Sequence, residues 1–564
     1  MQKLHYVLTL TVCSTFINGC LASSSDVGIL SSDGVSAVSS QYKKTVFIQS
    51  PSIPGGANGF TFDDKDQLYL TSIFSRSIYV LDRETGKVKK MFSTESGVEG
   101  PDDMVLDANN TMYWTSPFTG EVGKTTPKGE TVRQFVAPFI NPIAFSPDGR
   151  LFASADAWAS GLYQLDLNLV EAPRLVDSSF KLNGMDFISN NVLYSASPTL
   201  GKIFRVDVDA PSATAIVEGV DVPAGVKFNS KGELYGGNAG NGRIYRVNLQ
   251  TNELETVTFL EMGVDNLEFD SQDRLFVSNS HDGSIIEILS DNSLREAVSP
   301  GFVTPCGIAI KPRSDGGASV FLADVFALIE FDATTGKELS HARDDLLPGK
   351  LQGPSTISVD GNNFILTSFI FTNVQIWDHA NQVPVAEYEG FAGVVNAIRF
   401  QEDIVVAELG ASFDTPRLIL VNDNKRQVIA DATQGLVTPA GLVARDGNLW
   451  VGDWSTGKIL QVASDGIPLV TPITVATGFD KPEGLAMDSE GRILVVESGK
   501  AQLSRLDLMT GQVDVLATKL GLGREGIPGM LPTFMFNGVA VDDQDVIYVT
   551  AEIDNAIYRI KPKK

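Results

Sequence analysis

The sequence predicts an all-β protein made of two tandem six-bladed β-propellers, with twelve four-stranded blades in total. One strand-and-turn pattern recurs twelve times along the 564 residues. The copies are spaced by roughly 40 residues, which is the length of four short antiparallel strands and their turns. This spacing leaves no room for parallel βαβ crossovers, and twelve copies exceed the usual size of one ring. Two rings of six are therefore the economical arrangement.

Composition and charge agree with this fold class and exclude several functions. The chain is 43% hydrophobic and contains 52 Gly and 26 Pro, which is typical of a turn-rich sheet protein. Its formal net charge of −25 repels nucleic acid and anionic membrane surfaces, and it favours solubility or cation binding. Beyond the N-terminus, no apolar run approaches the roughly 20 residues of a membrane span.

The first residues predict export to a secreted, periplasmic or cell-surface location. Lys3 precedes an apolar stretch over residues 6–17, so residues 1–22 are expected to form a signal peptide. Cleavage before Cys20 would give a lipoprotein with an N-terminal lipid anchor, and cleavage after Ala22 would give a free chain. Residues 23–43, rich in Ser and Gly, are predicted to form a flexible tether.

Each copy of the repeat predicts three short strands followed by a less regular fourth strand. The copy at residues 224–247 shows strands Val226–Phe228, Leu234–Gly236 and Arg243–Val247, separated by Gly-containing turns. The twelve copies open at Asn58, Asp102, Asn141, Asn183, Ala224, Asn266, Cys306, Ser355, Asn396, Ala440, Glu483 and Asn537.

The ends of the chain suggest how each ring closes. A lone strand, Thr45–Gln49, precedes the first copy, and the last copy stops after its third strand. We expect the lone strand to complete the sixth blade and Leu294–Val298 to complete the twelfth. The predicted propellers therefore span residues 44–291 and 292–564.

The residues that open the copies are the candidate site, because the first strand of each blade lines the central channel of a propeller. In the first ring these residues are Asn58, Asp102, Asn141, Asn183, Ala224 and Asn266, with Asp265 adjacent. Converging amide and carboxylate oxygens predict a site for Ca²⁺ or another divalent cation. The alternative is that Asn and Asp stand there because they favour turns before strands.

The second ring has a weaker set of polar residues: Cys306, Ser355, Asn396, Ala440, Glu483 and Asn537. Glu483 and Asn537 could hold a cation, but a structural propeller is the favoured interpretation. Cys306 is predicted to be a buried, inert thiol. Trp158 and Trp454 are expected to pack between blades or, alternatively, to form the wall of a pocket.

Two stretches resemble the senescence-marker-protein/gluconolactonase group of six-bladed propellers and the related paraoxonases. Asn183-Gly184-Met185-Asp186-Phe187 resembles their blade with a calcium-binding Asn before Gly. Val264-Asp265-Asn266-Leu267, followed by residues 275–281, resembles the paraoxonase stretch in which adjacent Asp and Asn bind calcium and a later His lies near the substrate. The resemblance implies that Asn183, Asp265 and Asn266 are calcium ligands and that His281 is a catalytic candidate.

Two functions follow as hypotheses. The first, which rests on the resemblance, is a calcium-dependent hydrolase of lactones or related esters, in which Asp265 or His281 helps to activate water. The second is a non-catalytic propeller of the NHL-repeat kind that binds a protein or glycan and holds a structural cation. An isomerase or synthase on the same scaffold is a further alternative, since propellers carry many unrelated functions.

Overall fold

The computed structural model describes residues 39, 41–156, 159–344, 349–423, 425–526, 531–532 and 535–563. The predicted signal peptide, nearly all of the predicted tether, and Trp158 lie outside these residues. The described chain forms twelve four-stranded antiparallel sheets, which confirms the predicted fold of two six-bladed propellers. Within the described residues, no helix has the length and apolarity needed to cross a membrane.

The described chain begins with strand β1 (Tyr42–Gln49) and then forms the six blades of the first propeller. The first three blades are β2 (Phe60–Phe62), β3 (Leu68–Ser72), β4 (Ser77–Leu81) and β5 (Val88–Phe92); β6 (Met104–Leu106), β7 (Met112–Ser116), β8 (Glu121–Thr125) and β9 (Thr131–Phe135); and β10 (Ile140–Phe145), β11 (Leu151–Ala155), β12 (Gly161–Leu165) and β13 (Arg174–Asp177). The next three are β14 (Asn183–Phe187), β15 (Val192–Ser197), β16 (Lys202–Asp207) and β17 (Ser212–Glu218); β18 (Pro223–Phe228), β19 (Leu234–Asn238), β20 (Arg243–Val247) and β21 (Leu254–Phe259); and β22 (Val264–Phe269), β23 (Leu275–Asn279), β24 (Ile285–Ile288) and β25 (Leu294–Val298).

The second propeller follows the same order of strands. Its first three blades are β26 (Ile308–Pro312), β27 (Ala318–Asp324), β28 (Ala327–Asp332) and β29 (Glu338–Arg343); β30 (Thr356–Asp360), β31 (Asn363–Ser368), β32 (Asn373–Asp378) and β33 (Val383–Tyr388); and β34 (Val394–Phe400), β35 (Asp403–Glu408), β36 (Arg417–Asn422) and β37 (Lys425–Asp431). The others are β38 (Pro439–Arg445), β39 (Asn448–Asp453), β40 (Lys458–Ser464) and β41 (Ile467–Ala476); β42 (Pro482–Met487), β43 (Ile493–Glu497), β44 (Gln502–Leu506) and β45 (Val513–Thr518); and β46 (Val539–Val541), β47 (Ile547–Ala551) and β48 (Ala556–Pro562), joined by β1. Short 3₁₀ turns occur at Thr94–Ser96, Ala432–Gln434 and Ser498–Lys500.

Each propeller closes into a ring through its innermost strands. In the first, β2, β6, β10, β14, β18 and β22 each contact the next, and β22 returns to β2. In the second, β26, β30, β34, β38, β42 and β46 do the same. The apolar core lies between neighbouring blades, as where Tyr194 of one blade packs with Leu234 and Tyr245 of the next. This packing holds the start of every inner strand at one mouth of its channel.

The predicted exchange of strands between the sixth and twelfth blades was wrong. Strand β25 stays in the sixth blade and pairs with β24, whereas β1 pairs with β48 and completes the twelfth blade. A tight turn at Asn292, whose φ is 63°, joins β24 to β25, so their pairing is a local hairpin with little loop-closure cost. In the twelfth blade, β1 takes the place beside β48 that the fourth strand takes in the other blades.

This pairing also moves the boundary between the propellers. Residues 50–304 form one compact unit, where 44–291 was predicted. The predicted boundary at 291/292 falls inside the hairpin that joins β24 to β25. Strand β1 belongs with the second propeller, so residues 42 and 43 of the predicted tether lie in a strand, and the first propeller is inserted in sequence between β1 and β26.

Candidate functional site

Strand register decides which residues of the first propeller share one level of its channel. Phe187 pairs with Leu193, and Phe269 pairs with Leu275, so these two phenylalanines are equivalent in their blades. Counting back four residues from each places Asp265 level with Asn183. The opening ring is therefore Asn58, Asp102, Asn141, Asn183, Ala224 and Asp265. Asn266, predicted to be a member, lies one residue deeper, because it stands three residues before Phe269 whereas Asn183 stands four residues before Phe187.

The next level of the channel is narrow because glycine occupies half of it. A Cβ atom added to Gly184 would lie 2.3 Å from the Cα of Gly225, so only glycine permits this approach of neighbouring strands. The same level contains Asp103 and Asn266 from non-adjacent blades. Asn266 Nδ2 donates a hydrogen bond to Asp103 Oδ1 at 3.3 Å, and the bare backbone of Gly59 lies between their blades.

Hydroxyl groups on the second strands hold the opening residues in place. Thr71 and Thr115 donate hydrogen bonds to the main-chain oxygens of Asp102 and Asn141, which belong to the following blades. Ser195 Oγ donates to the main-chain oxygen of Asn183 at 2.5 Å. These hydrogen bonds fix the backbone of the opening residues, and with it the positions from which their side chains reach the channel.

Three carboxyl groups, from Asp102, Asp103 and Asp265, crowd this mouth. Burial, followed by repulsion from Asp265 and Asp103, raises the pKa of Asp102 well above its ordinary value. Burial raises the pKa of Asp103 to about 7, although hydrogen bonds from the amides of Ile143 and Met104 oppose the shift. Burial also raises the pKa of Asp265 to about 6. Such upward shifts indicate negative charge that is poorly compensated, as expected where a cation belongs.

The amide side chains orient the carboxylates rather than joining them as oxygen donors. Asn58 Oδ1 accepts the Ile73 amide hydrogen at 3.1 Å, which turns Asn58 Nδ2 toward Asp265 Oδ2 at 3.4 Å. Asn266 likewise presents its Nδ2 to Asp103. The Asn183 Oδ1 accepts from the Gly184 amide at 2.7 Å. In this arrangement Asn58 and Asn266 donate hydrogen bonds to carboxylates, so their amide groups are not oriented as oxygen ligands for a cation.

A second charged layer lies deeper in the same channel, in three consecutive blades. Lys227 Nζ lies 2.9 Å from Glu268 Oε2 and 3.9 Å from Asp186 Oδ1. Burial alone would lower the pKa of Lys227, but the charges of Asp186 and Glu268 outweigh it and raise the pKa. The charge of Lys227, which lies deeper in the channel, also acts to lower the pKa of Asp103. The lysine is therefore the cation that partly balances the acidic mouth.

His281 lies in the turn between β23 and β24, on the blade that carries Asp265. Its main-chain amide donates to Asn279 Oδ1 at 2.9 Å, and its side chain packs against Gly263, where an added Cβ would come within 2.5 Å of the ring. Only 8% of the residue is exposed. The turn is thus ordered and the histidine is buried, and its catalytic role stays a prediction.

The structure adds Asp156, which the repeat pattern did not single out. It follows β11 directly and is 7% exposed. Burial raises its pKa to about 6, opposed by the charge of Lys181, and its own charge raises the pKa of Asp102. The sequence signal that could have identified Asp156 was its position directly after the second strand of its blade. The equivalent turn of the sixth blade carries His281.

The side chains at the mouth of the first propeller provide too few charged ligands to hold a metal ion by themselves. Within the described residues, no three His, Cys, Asp or Glu side chains converge closely enough to hold a metal ion by themselves. A cation at this mouth would also need amide or water oxygens. Ca²⁺ accepts such a mixed set of oxygen ligands in a flexible geometry, whereas Zn²⁺ favours nitrogen and sulfur ligands and Mg²⁺ requires a near-ideal octahedron.

The mouth of the second propeller has a different composition. By the same count, its opening residues are Cys306, Ser355, Val395, Ala440, Glu483 and Asn537. Val395 replaces the predicted Asn396, which lies one level deeper and donates from Nδ2 to the Ala440 oxygen at 3.1 Å. Cys306 is fully buried, as predicted, and burial followed by the charges of Asp324 and Glu552 raises its pKa well above the ordinary value. Its thiol is poorly suited to act as a nucleophile.

The carboxyl groups of the first mouth predict a stability profile that runs opposite to ordinary acid denaturation. A carboxyl whose pKa is raised on folding contributes stability below its unfolded pKa, and that contribution is lost as pH rises through its folded pKa. In the presence of a chelator, the unfolding temperature should therefore fall from about pH 4 to about pH 7, the window set by Asp265 at about 6 and Asp103 at about 7. Differential scanning fluorimetry measures this slope, and Asp265→Asn should flatten it. An identical slope in this variant would contradict the assignment.

Comparison with known proteins gives structural likeness only. No protein-family model and no curated protein matches the chain. Among solved structures, the chain is similar to PorZ, an essential bacterial surface component of the type-IX secretion system of Porphyromonas gingivalis, with 13% identity, a TM-score of 0.37, and coverage of 92% of this chain and 87% of PorZ. It is also similar to the extracellular domain of BT3049 from B. thetaiotaomicron, with 10% identity, a TM-score of 0.33, and coverage of 91% and 82% respectively. At these scores the assignment of two propellers rests on the strand pairing of the chain itself.

Proposed function

We propose that the first propeller binds a divalent cation, with Ca²⁺ as the best fit, at the mouth formed by its opening ring, and that this cation serves to bind a small oxygen-bearing ligand. The observation that carries the proposal is the crowding of Asp102, Asp103 and Asp265, whose pKa values are all raised. A hard cation there would remove the repulsion that causes these shifts. All donors at this mouth are oxygen atoms or amides, which suits Ca²⁺ and not a thiophilic metal.

Asp102 and Asp265 are the proposed carboxylate ligands. Asp103 uses Oδ1 to accept from Met104 and Oδ2 to accept from Ile143, so it contributes charge from close by instead of a free oxygen. Asn141 opens the third blade, and no hydrogen bond to its side chain occurs among the described residues, so its amide oxygen is free to join. Asn58 holds Asp265 in position.

A calcium ion held there would polarise a carbonyl or carboxylate oxygen of the ligand. Lys227 and Glu268, below the mouth, set the depth to which an anionic ligand can descend, because Lys227 attracts it and Glu268 repels it. Hydrolysis of lactones or related esters is the finer hypothesis for this site. It rests on the resemblance of the stretches around Asn183 and Asp265 to the gluconolactonase and paraoxonase group, with Asp265 or His281 as the base. We also keep export to the cell surface or medium as part of the proposal, on the basis of residues 1–22.

Calcium titration of the purified chain tests the proposal directly. Calcium should raise the unfolding temperature, because an ion that binds only the folded state stabilises it by mass action. Asp265→Asn keeps the shape of the side chain but removes its charge, and it should weaken calcium affinity roughly tenfold or more. Asp64→Asn, in the exposed turn between β2 and β3, is the matched control and should leave the affinity unchanged. Equal affinity in the wild type and in Asp265→Asn would reject this site.

The same preparations distinguish hydrolysis from binding. A panel of lactones and aryl esters is assayed at saturating calcium for the wild type and for Asp265→Asn. Turnover that depends on calcium and is lost in the variant supports a hydrolase with Asp265 as the base. Turnover that recovers fully at saturating calcium excludes Asp265 as the base and leaves His281. Calcium binding without turnover of any substrate supports the non-catalytic binding propeller.

A further inference from the structure

The first propeller has one blade interface that is not crossed by a connection between blades. Each of its sheets consists of four consecutive strands, so the segments β5–β6, β9–β10, β13–β14, β17–β18 and β21–β22 link the six blades in order. The sixth blade meets the first through β22 and β2, an interface that we call the seam. Phe276 packs edge-on against Phe62 across the seam, and Gly55 N donates to the Val303 oxygen at 2.9 Å. Contacts alone therefore close this ring.

A polar latch closes the seam at the end of the blades away from the mouth. Ser271 of the sixth blade donates from its main-chain amide to Asp66 Oδ1 and from Oγ to Asp66 Oδ2, at 2.9 and 2.8 Å. Arg83 Nη1 of the first blade lies 2.8 Å from a carboxylate oxygen of Asp66 and of Asp270. At the usual rise of a strand, the turn that carries Asp66 is about 15 Å from Asn58 at the mouth.

The interface between the fifth and sixth blades carries the same latch. Ser230 donates from its main-chain amide to Asp273 Oδ1 at 2.9 Å and from Oγ to Asp273 Oδ2. Asp66 and Asp273 occupy equivalent places in their turns, with φ angles of 57° and 58°. Tyr235 and Phe269 also form an edge-on aromatic pair there. Because the segment β21–β22 also links these two blades, this interface is the natural reference for the seam.

The seam ends at the acidic mouth, where two side chains of the sixth blade contact the neighbouring blades. Asn58 Nδ2 of the first blade donates to Asp265 Oδ2 of the sixth at 3.4 Å. Asn266 Nδ2 of the sixth blade reaches Asp103 Oδ1 of the second blade at 3.3 Å. Polar side chains of the second and sixth blades thus meet across the first blade.

The proposed carboxylate ligands flank the first blade. Asp102 belongs to the second blade and Asp265 to the sixth, and the two carboxyls and that of Asp103 repel one another at the mouth. Repulsion between blades that lie on both sides of the first blade favours separation at the interface that has no chain connection. A cation held by both carboxylates attracts the two blades toward one point and holds the first blade between them.

We propose that cation binding at the mouth and closure of the seam are coupled, so that the cation acts as a clasp of the first ring and the Asp66–Ser271 latch controls its affinity from the far end. This inference rests on the proposed function, because it takes the cation site as given. Coupling between two sites is reciprocal. A weakened latch therefore lowers cation affinity, and a bound cation stabilises the first blade.

Calorimetric titration of the full chain with calcium chloride tests the coupling in Asp66→Asn and Asp273→Asn. Both substitutions remove one negative charge from the same place in a turn, and neither touches a proposed ligand. Asp66→Asn should weaken calcium affinity about fivefold or more, the lower end of typical coupling between sites. Asp273→Asn should change it less than about twofold, since its interface keeps a chain connection. If Asp66→Asn fails to fold, Ser271→Ala and Ser230→Ala form a milder pair with the same expectation.

Hydrogen exchange measured by mass spectrometry on the wild type locates the effect in the ring. Calcium should slow amide exchange several-fold in the first blade, β2 to β5, and leave the fifth blade, β18 to β21, unchanged. These two blades are matched, because each borders the sixth blade and neither supplies a proposed ligand. The same experiment with a chelator gives the baseline for both blades.

The outcomes separate this inference from the calcium site itself. Weaker calcium binding in Asp66→Asn alone, with protection confined to the first blade, supports the coupling. Calcium binding of equal affinity in the wild type and in Asp66→Asn would overturn the coupling and leave the proposed site standing. Equal losses in both variants, or equal protection of the first and fifth blades, would show a general effect on the ring and would also overturn it. A wild type that binds no calcium would reject the proposed function, and this inference with it.

Discussion

A chain that begins at Ser50, and therefore lacks β1, is expected to lose the cooperative unfolding transition of the second propeller. The loss should exceed about 5 kcal/mol, which is comparable with the whole stability of a typical domain. Without β1 the twelfth blade keeps only β46, β47 and β48, and the edge of β48 is exposed to solvent. Differential scanning calorimetry should show this transition removed or shifted far down, while the transition of the first propeller remains.

The contacts of β1 explain the size of this effect. Its backbone pairs with β48 from Tyr42, opposite Pro562, to Gln49, opposite Ala556. Lys44 Nζ donates to the main-chain oxygens of Thr518 and Lys519 at the end of β45, at 2.8 and 2.7 Å. The strand thus fills the last blade and also ties it to the eleventh blade. No other described strand pairs with this edge of β48.

A permuted chain gives the decisive control. Because Tyr42 lies opposite Pro562, residues 41–49 moved to the end of the chain and joined by a short turn would form a hairpin with β48. This variant should recover the lost transition, whereas the same number of added residues in scrambled order should not. A truncated chain that unfolds like the wild type would show that β1 contributes little to the second propeller.

Lys227→Met is expected to destabilise the first propeller by about 3 kcal/mol, because breaking a buried ion pair from one side leaves its partners uncompensated. The substitution removes the only cation described within 4 Å of Glu268, and Asp186 loses a cation at 3.9 Å. The side chain of Lys227 keeps 25% exposure to the channel, so water limits the loss to the lower part of the usual range. Chemical denaturation of the first propeller measures the change.

Two companion variants show whether charge or packing causes the loss. Lys231→Met removes a lysine from the exposed turn of the same blade and should change stability by less than about 0.5 kcal/mol. Adding Glu268→Gln to Lys227→Met should restore part of the lost stability, because it removes one of the carboxylates left without a partner. If the double variant is less stable than Lys227→Met alone, the lysine acts through packing and hydrogen bonding instead of charge.

The two channels differ in the side chains that they bring to the axis. In the first, Asp186, Lys227 and Glu268 lie beneath the carboxyls of the mouth, so charge extends along the channel. In the second, aliphatic residues occupy the walls, and charge is confined to one end. Because one repeat builds both rings, this difference between the channels comes from only a few inner-strand positions in each blade.

The fold class was determined by the sequence alone, because the signals for a propeller blade are local. Alternation of apolar residues marks each short strand, and Gly, Asn and Asp mark the turns, as in the blade from Pro223 to Phe259. The same local signals placed Asn183 at the start of an inner strand and Asp102 just before one, which is where the structure has them.

Only the tertiary structure decided which strands pair across the chain and which residues share a level. The pairing of β1 with β48 joins segments more than 500 residues apart, and nothing local to Tyr42–Gln49 distinguishes the sixth blade from the twelfth as its partner. In the opening ring, Asp265 takes the place that was predicted for Asn266, because the register of the sixth blade differs by one residue from the predicted register. A shift of one residue cannot be recognised in the sequence of a repeat whose turns vary in length. The buried charges of Asp156 and Glu552 depend on neighbours that only folding brings together. The positions of the strands are therefore determined by the local sequence, whereas ring closure, register and the electrostatics of the two mouths are properties of the assembled propellers.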